Sequence, residues 1–200
     1  MGHVTRYSRS EEILVNGESK KNHFDEVSEG RTSVDNILRV NHGNQMRLGL
    51  MADQKANIMI TVASIVFSVT VANLDNEVMK YPLLTFAIGS FFALLFAIFA
   101  IIPNTDYPKE KGSNEIDRES PLFNPLFFGH FAHLSIDEYK EDYAKILSTD
   151  DNVYDSMAGD IYGQGKVLAL TKYKYLKWSY TCFLWGMSCA IIVFIVQNIL

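Results

Sequence analysis

The chain has 200 residues, with 18 Lys and Arg against 23 Asp and Glu and a formal net charge of −5. The acidic balance argues against nucleic acid as the main partner, because duplex binding rests on clustered Lys and Arg that neutralise phosphates. The charges are also segregated. Ile58–Leu74, Tyr81–Ile102 and Trp178–Leu200, runs of 17, 22 and 23 residues, carry no Asp, Glu, Lys, Arg or His. A helix that is apolar all round is buried or faces lipid, and runs near or above about 18 residues read as membrane spans. The expected fold class is therefore all-α: an integral membrane protein with three transmembrane helices and a small cytosolic helical bundle.

Residues 1–32 are polar and low in periodicity, and read as a mobile cytosolic tail. Their acidic residues and lack of an apolar stretch exclude a signal peptide. Arg6 stands where a myristoylation site needs Ser or Thr. The first span then acts as its own insertion signal. Ser33 offers an N-cap, and Ile37, Val40, Leu48 and Met51 fall at helical spacings. This predicts a cytosolic helix over 33–57, bent at Gly43 and running into the first span at 58–74. Asp53 and Lys55 sit where headgroups meet hydrocarbon, and Lys55 can snorkel.

Residues 75–80 form a short turn, so the spans 58–74 and 81–102 make an antiparallel hairpin. Pro82 suits a first helical turn, where its missing N–H costs nothing, and Pro103 stops the second span. The segment 103–177 is wet. It opens as a loop with Pro108, Gly112 and Pro121, followed by an aromatic cluster over Pro125–Phe131. Ser135 and Glu138 form a capping box. The helix they start carries a stripe of Ile136, Tyr139, Tyr143, Ile146 and Leu147, and Asp150–Asn152 is expected to break it. A second helix steps through Val153, Met157 and Ile161, with an interruption at Gly163 and Gly165. Leu168, Tyr173 and Leu176 lead into the third span at 178–200. Two or three such helices would pack on the 33–57 helix.

Positive residues near span ends set orientation. Arg39, Arg47 and Lys55 precede the first span; Lys109, Lys111 and Arg118 follow the second; Lys166, Lys172, Lys174 and Lys177 precede the third. The 75–80 turn has only Lys80 against Asp75 and Glu77. The N-terminal part and 103–177 are thus expected in the cytosol, with the turn and the C-terminus extracytoplasmic. Tyr81, Trp178 and Tyr180 fit interfacial anchors, so Asp53, Lys55, Lys174, Lys177 and Trp178 are the expected membrane-interface residues. Each span carries small residues at helical spacing: Thr61, Ser64 and Ser68; Gly89, Ala93 and Ala97; Cys182, Gly186 and Ala190. Such stripes let backbones approach in lipid, either within one chain or between copies.

No catalytic constellation emerges. Cys182 and Cys189 share one apolar run and give neither a disulfide framework nor a metal spacing. The string Asp160–Val167 fails as a phosphate loop, since Asp160 replaces its first glycine and Val167 its closing Ser/Thr. His130 and His133, with Asp137, fall short of a supported metal site. The acidic stretch 137–160 lacks the alternating ligands of a calcium loop and reads as a solvated face. No ionisable residue lies within a span, which argues against proton relays, ion-coupled transporters and intramembrane hydrolases. The expectation is a protein that is not an enzyme and has no metal or cofactor.

Two stretches, RLGLMADQKANIMITVASIVFSV at the first span and NPLFFGHFAHLSIDEY after the second, together with the hairpin, wet segment and third span, resemble the transmembrane effectors of Pycsar bacterial anti-phage systems over about residues 35–200. The resemblance implies a partner uridylate or cytidylate cyclase that makes cCMP or cUMP. The nucleotide activates the effector, which impairs the inner membrane and kills the infected cell before phage mature. It implies no residue roles. A cyclic nucleotide needs cations or helix N-terminal amides for its phosphate and an aromatic or polar cleft for its base, and the residue types that meet this in the wet part are Arg39, Asn44, Arg47, Phe128 and His130. The expected partners are the lipid bilayer, that nucleotide and further copies of the chain. The alternative is a non-toxic membrane scaffold or accessory subunit.

Overall fold

The protein is described by a computed structural model over residues 31–103, 108–109, 115–120 and 123–199. The predicted tail, except Arg31 and Thr32, and the loop positions Lys111, Gly112 and Pro121 lie outside the described residues. In chain order the helices are α1 (Arg31–Ala72), α2 (Lys80–Ile101), α3 (Phe128–Phe131), α4 (Ile136–Ile146), α5 (Asp150–Val167), a π-helical turn (Leu168–Lys172) and α6 (Tyr173–Ile199). Among the described residues there is no strand, only an isolated antiparallel bridge between Lys109 and Ile116.

Three helical rods, Thr32–Ala72, Lys80–Ile101 and Asp150–Ile199, are long and apolar enough to cross a membrane. The first lies within α1, a single helix of 42 residues. At 1.5 Å per residue it extends about 60 Å, twice a hydrocarbon core of ~30 Å. Its first half therefore stands clear of the lipid that its second half requires. The last rod does the same in reverse, since α5, the π turn and α6 follow one another without a break.

Several local expectations change. Ser33 lies inside the first turn of α1 rather than capping it, while α1 runs on through Gly43 into the first span as expected. Helix α5 likewise runs through Gly163 and Gly165. A helical glycine costs only about 1 kcal/mol against alanine, which the neighbouring turns absorb. The irregularity comes at Leu168–Lys172 instead. Asp150, Asp151 and Asn152 start α5 rather than ending α4, because the Thr149 side chain accepts the Asn152 N–H at 3.3 Å. The two carboxylates then sit at the favourable end of the helix dipole. The Ser135 capping box forms as expected: Glu138 N–H donates to Ser135 Oγ at 3.3 Å, and Ser135 N–H donates to Glu138 Oε2 at 2.8 Å. Within the predicted α4 stripe Ile146 is buried, but Ile136 and Leu147 are exposed. Ile102 has φ −60° and ψ 124°, the extended conformation forced on a residue before proline, and it ends α2 at Pro103.

Helix α2 is the centre of the three-rod assembly and runs antiparallel to both α1 and α6. Met59 and Ala63 of α1 pack on Ala93 and Ala97 of α2, with Cys182 and Phe183 of α6 against the same cluster. One layer on, Ala56, Ala100 and Leu176 meet. Six of these nine side chains are Ala or Cys, which suits lipid-phase packing, where apolar area gives no advantage over lipid tails. The predicted stripes of α2 and α6 do face each other. A Cβ at Gly89 would lie 2.5 Å from the Gly186 Cα, so the two backbones touch. Ser179 Oγ donates to the Ala93 carbonyl at 2.6 Å in a fully buried position.

The stripe predicted for the first span is not the face that packs within the chain. Thr61 and Ser68 are exposed, and the Thr61 hydroxyl bonds its own helix at Asn57 O, 3.0 Å. Ala52, Ala56, Met59 and Ala63 face inward instead. The outer surface is large and apolar, with Ile65, Ile88, Phe92, Leu184, Trp185 and Ile192 exposed. In water that surface would be untenable; in lipid it is the expected exterior.

Candidate functional site

The region that bears on function is the junction where α1 and α5–α6 leave the apolar zone. There the Lys172 ammonium contacts both oxygens of Asp53, at 2.6 and 2.8 Å. Asp53 belongs to α1 and Lys172 closes the π turn, so the pair ties the first rod to the last. Both side chains are partly shielded, at 37% and 23% exposure for Asp53 and Lys172. The Tyr173 N–H, just beyond the turn, donates to the Leu168 carbonyl five residues back. Single π turns inside long helices concentrate at functional sites, because the widened ladder can revert to α by a small register change.

Further along α5, Asp160 is buried and forms a node. Its carboxylate accepts from the Asn124 amide at 2.9 Å and the Gln164 amide at 2.7 Å, and lies 3.4 Å from His42 Nε2 on α1. The Asn124 N–H donates to Nδ1 of buried His130 at 2.9 Å. The His130 ring stacks on Phe123 and meets Phe127 edge-on, with centroids 5.9 and 5.1 Å apart. One buried carboxylate therefore connects α1, α5 and the loop before α3, and its donors offset the cost of burying it. Nearer the start of α1, the Tyr154 hydroxyl donates to Asp35 at 3.2 Å.

Helix α4 is held separately. The Arg118 guanidinium forks onto Asp142, at 2.9 and 2.6 Å, and reaches Glu141 at 3.1 Å. Hydrogen bonding to Arg118 holds the Glu141 carboxyl below the usual range. The Ser135 hydroxyl and N–H do the same for Glu138.

The residues expected to bind nucleotide are dispersed. Arg39, Asn44 and Arg47 are exposed on α1, and Arg39 donates to Asn36 of its own helix at 2.9 Å. Phe128 is exposed and His130 buried within α3. Of the expected membrane-interface residues, Asp53 binds Lys172, Lys55, Lys174 and Lys177 are exposed, and the Trp178 ring lies 6.2 Å from Phe96. Residue typing gave Asp160 and His42 no role in tying helices together and credited Lys172 only with orientation. Nothing local marks them, since each acts through a partner more than a hundred residues away or on another element. His130 gives one nitrogen to a backbone amide, and among the described residues no group of three or more His, Cys, Asp or Glu side chains is placed to hold a metal ion.

These features define an all-helical membrane protein whose first and last spans continue, tied together, outside the lipid. Residues 36–197 match the family described as PycTM, Pycsar effector protein domain, and the chain belongs to that family. It is thus a membrane effector of Pycsar antiviral defence, and membership implies a cyclic-nucleotide signalling partner. No curated protein and no solved structure matches the chain.

Proposed function

We propose that the chain is the membrane-damaging arm of a Pycsar system. It sits in the inner membrane with its N-terminus and the 103–177 segment in the cytosol. A partner cyclase responding to phage supplies cCMP or cUMP; the nucleotide activates assembled copies of the effector, the bilayer is breached and the infected cell dies. The observation that carries the reading is the continuity of α1 and of α5–α6 from the polar region into the spans. A change in how α1 and α5 sit together outside the lipid must alter how α1, α2 and α6 sit within it, because the same rods form both regions.

Such an effector must be silent until called on. Moving a two-state equilibrium from 1:99 to 99:1 requires the nucleotide to bind the active state about 10⁴-fold more tightly than the resting one. The Asp53–Lys172 pair and the Asp160 node are discrete contacts that a second arrangement of the rods would have to break.

Cells producing the protein together with cCMP or cUMP are expected to stop growing and to admit a membrane-impermeant dye. Cells with the protein or the nucleotide alone are expected to exclude it. If dye stays out of cells containing both, the toxic reading fails and a scaffold or accessory role takes its place.

A further inference from the structure

Between the first half of α1 and the second half of α5 runs an open groove of about 630 Å³, within the range of about 300–1,000 Å³ usual for small-ligand sites. Leu38 and Ile161 give it an apolar floor, with Ile161 buried. Asn41 and Gln45 of α1 line one side, and Tyr162 and Lys166 of α5 line the other. Among the described residues the amides of Asn41 and Gln45 have no hydrogen-bond partner, and Lys166 has no ion pair. Tyr162 is 70% exposed, with the Lys166 ammonium 6.0 Å from its ring centroid. The far end of the groove reaches Ala169 and Leu170, inside the π turn.

We infer that this groove is the site for the activating cyclic mononucleotide; the inference rests on the function proposed above. A cyclic phosphodiester carries one negative charge, and the groove offers one ammonium, Lys166, that has no ion pair among the described residues. An exposed tyrosine ring presents a face on which a base stacks. Each side-chain amide both donates and accepts, which suits the mixed donor and acceptor edge of a pyrimidine. No carboxylate lines the groove to repel the phosphate. The ligand bridges α1 to α5 one turn from the irregular segment and so acts on the junction directly. The signal that typing overlooked is the placement of Tyr162 and Lys166 one turn apart on α5, facing two amides of α1.

The test is titration of the purified full-length protein in lipid nanodiscs with cCMP and, separately, cUMP. Wild type is expected to bind one of them. Lys166→Gln and Tyr162→Ala are each expected to weaken binding about tenfold or more, while Lys166→Arg retains most of it. Lys140→Gln, which removes an equal charge from the exposed face of α4, is expected to bind as wild type does. Helical circular dichroism and elution position show whether each variant is folded. If wild type binds and the folded Lys166→Gln and Tyr162→Ala bind equally well, the groove is not the site and the functional reading stands. If wild type binds neither nucleotide, both fall.

Discussion

Gly89→Val is expected to separate α2 from α6 and destabilise the protein by about 1–3 kcal/mol, the usual cost of forcing atoms into a packed contact. The first added carbon would lie 2.5 Å from the Gly186 Cα and 3.3 Å from the Cys182 carbonyl oxygen. Both obstacles are backbone, so no rotamer change relieves them. Gly186→Val meets the Gly89 backbone at 2.7 Å and should behave alike. The double variant should cost less than the sum of the two, because the first valine already opens the gap that the second needs. Thermal unfolding in detergent, followed by helical circular dichroism, reads the effect. Unchanged midpoints for both single variants would mean that the two helices do not cross at these glycines.

Lys172→Ala is expected to make the effector leak, with growth arrest and dye entry in the absence of nucleotide. The substitution leaves Asp53 without its partner beside the apolar zone and unties α1 from the π turn. A charge pair shielded to this degree is worth on the order of 1–2 kcal/mol, and that amount moves a two-state ratio about 5- to 30-fold. Asp53→Ala should act in the same direction. Exchanging the charges, Asp53→Lys with Lys172→Asp, should restore silence, which a simple loss of stability would not do. If Lys172→Ala is silent and is triggered normally by nucleotide, the pair does not hold the resting state.

The spans were legible because lipid imposes a rule that operates residue by residue. A crossing helix tolerates no unpaired charge, and 58–74, 81–102 and 178–200 obey it throughout. The facing glycines were legible too, since Gly89 and Gly186 fall on small-residue stripes with Ala93, Ala97 and Ala190. The packing face of α1 was not. Thr61, Ser64 and Ser68 repeat with the same helical period as Ala56, Met59 and Ala63, and periodicity alone does not say which face meets a neighbour. The Thr61 hydroxyl satisfies itself on its own helix, and the alanine face touches α2.

The functional residues were the least legible part. Arg39, Asn44 and Arg47 drew attention by residue type, yet the side of α1 that meets α5 is set by Asp35, His42 and Asp53, whose partners Tyr154, Asp160 and Lys172 lie far away in sequence. By sequence the stretch Asp160–Val167 reads as a failed phosphate loop on an interrupted helix, with Lys166 as an orientation charge. Its Tyr162 and Lys166 became meaningful once α1 was seen to bring Asn41 and Gln45 opposite them. The π turn has no reliable sequence mark, because glycines that would predict a break precede it in regular helix.

The most direct measurement is dye release from liposomes that contain only the purified protein, with cCMP or cUMP added outside to chains whose groove faces the added nucleotide. The account predicts rapid release with one of the two nucleotides and tight vesicles without it. Vesicles that hold their dye while the nucleotide is demonstrably bound would contradict it.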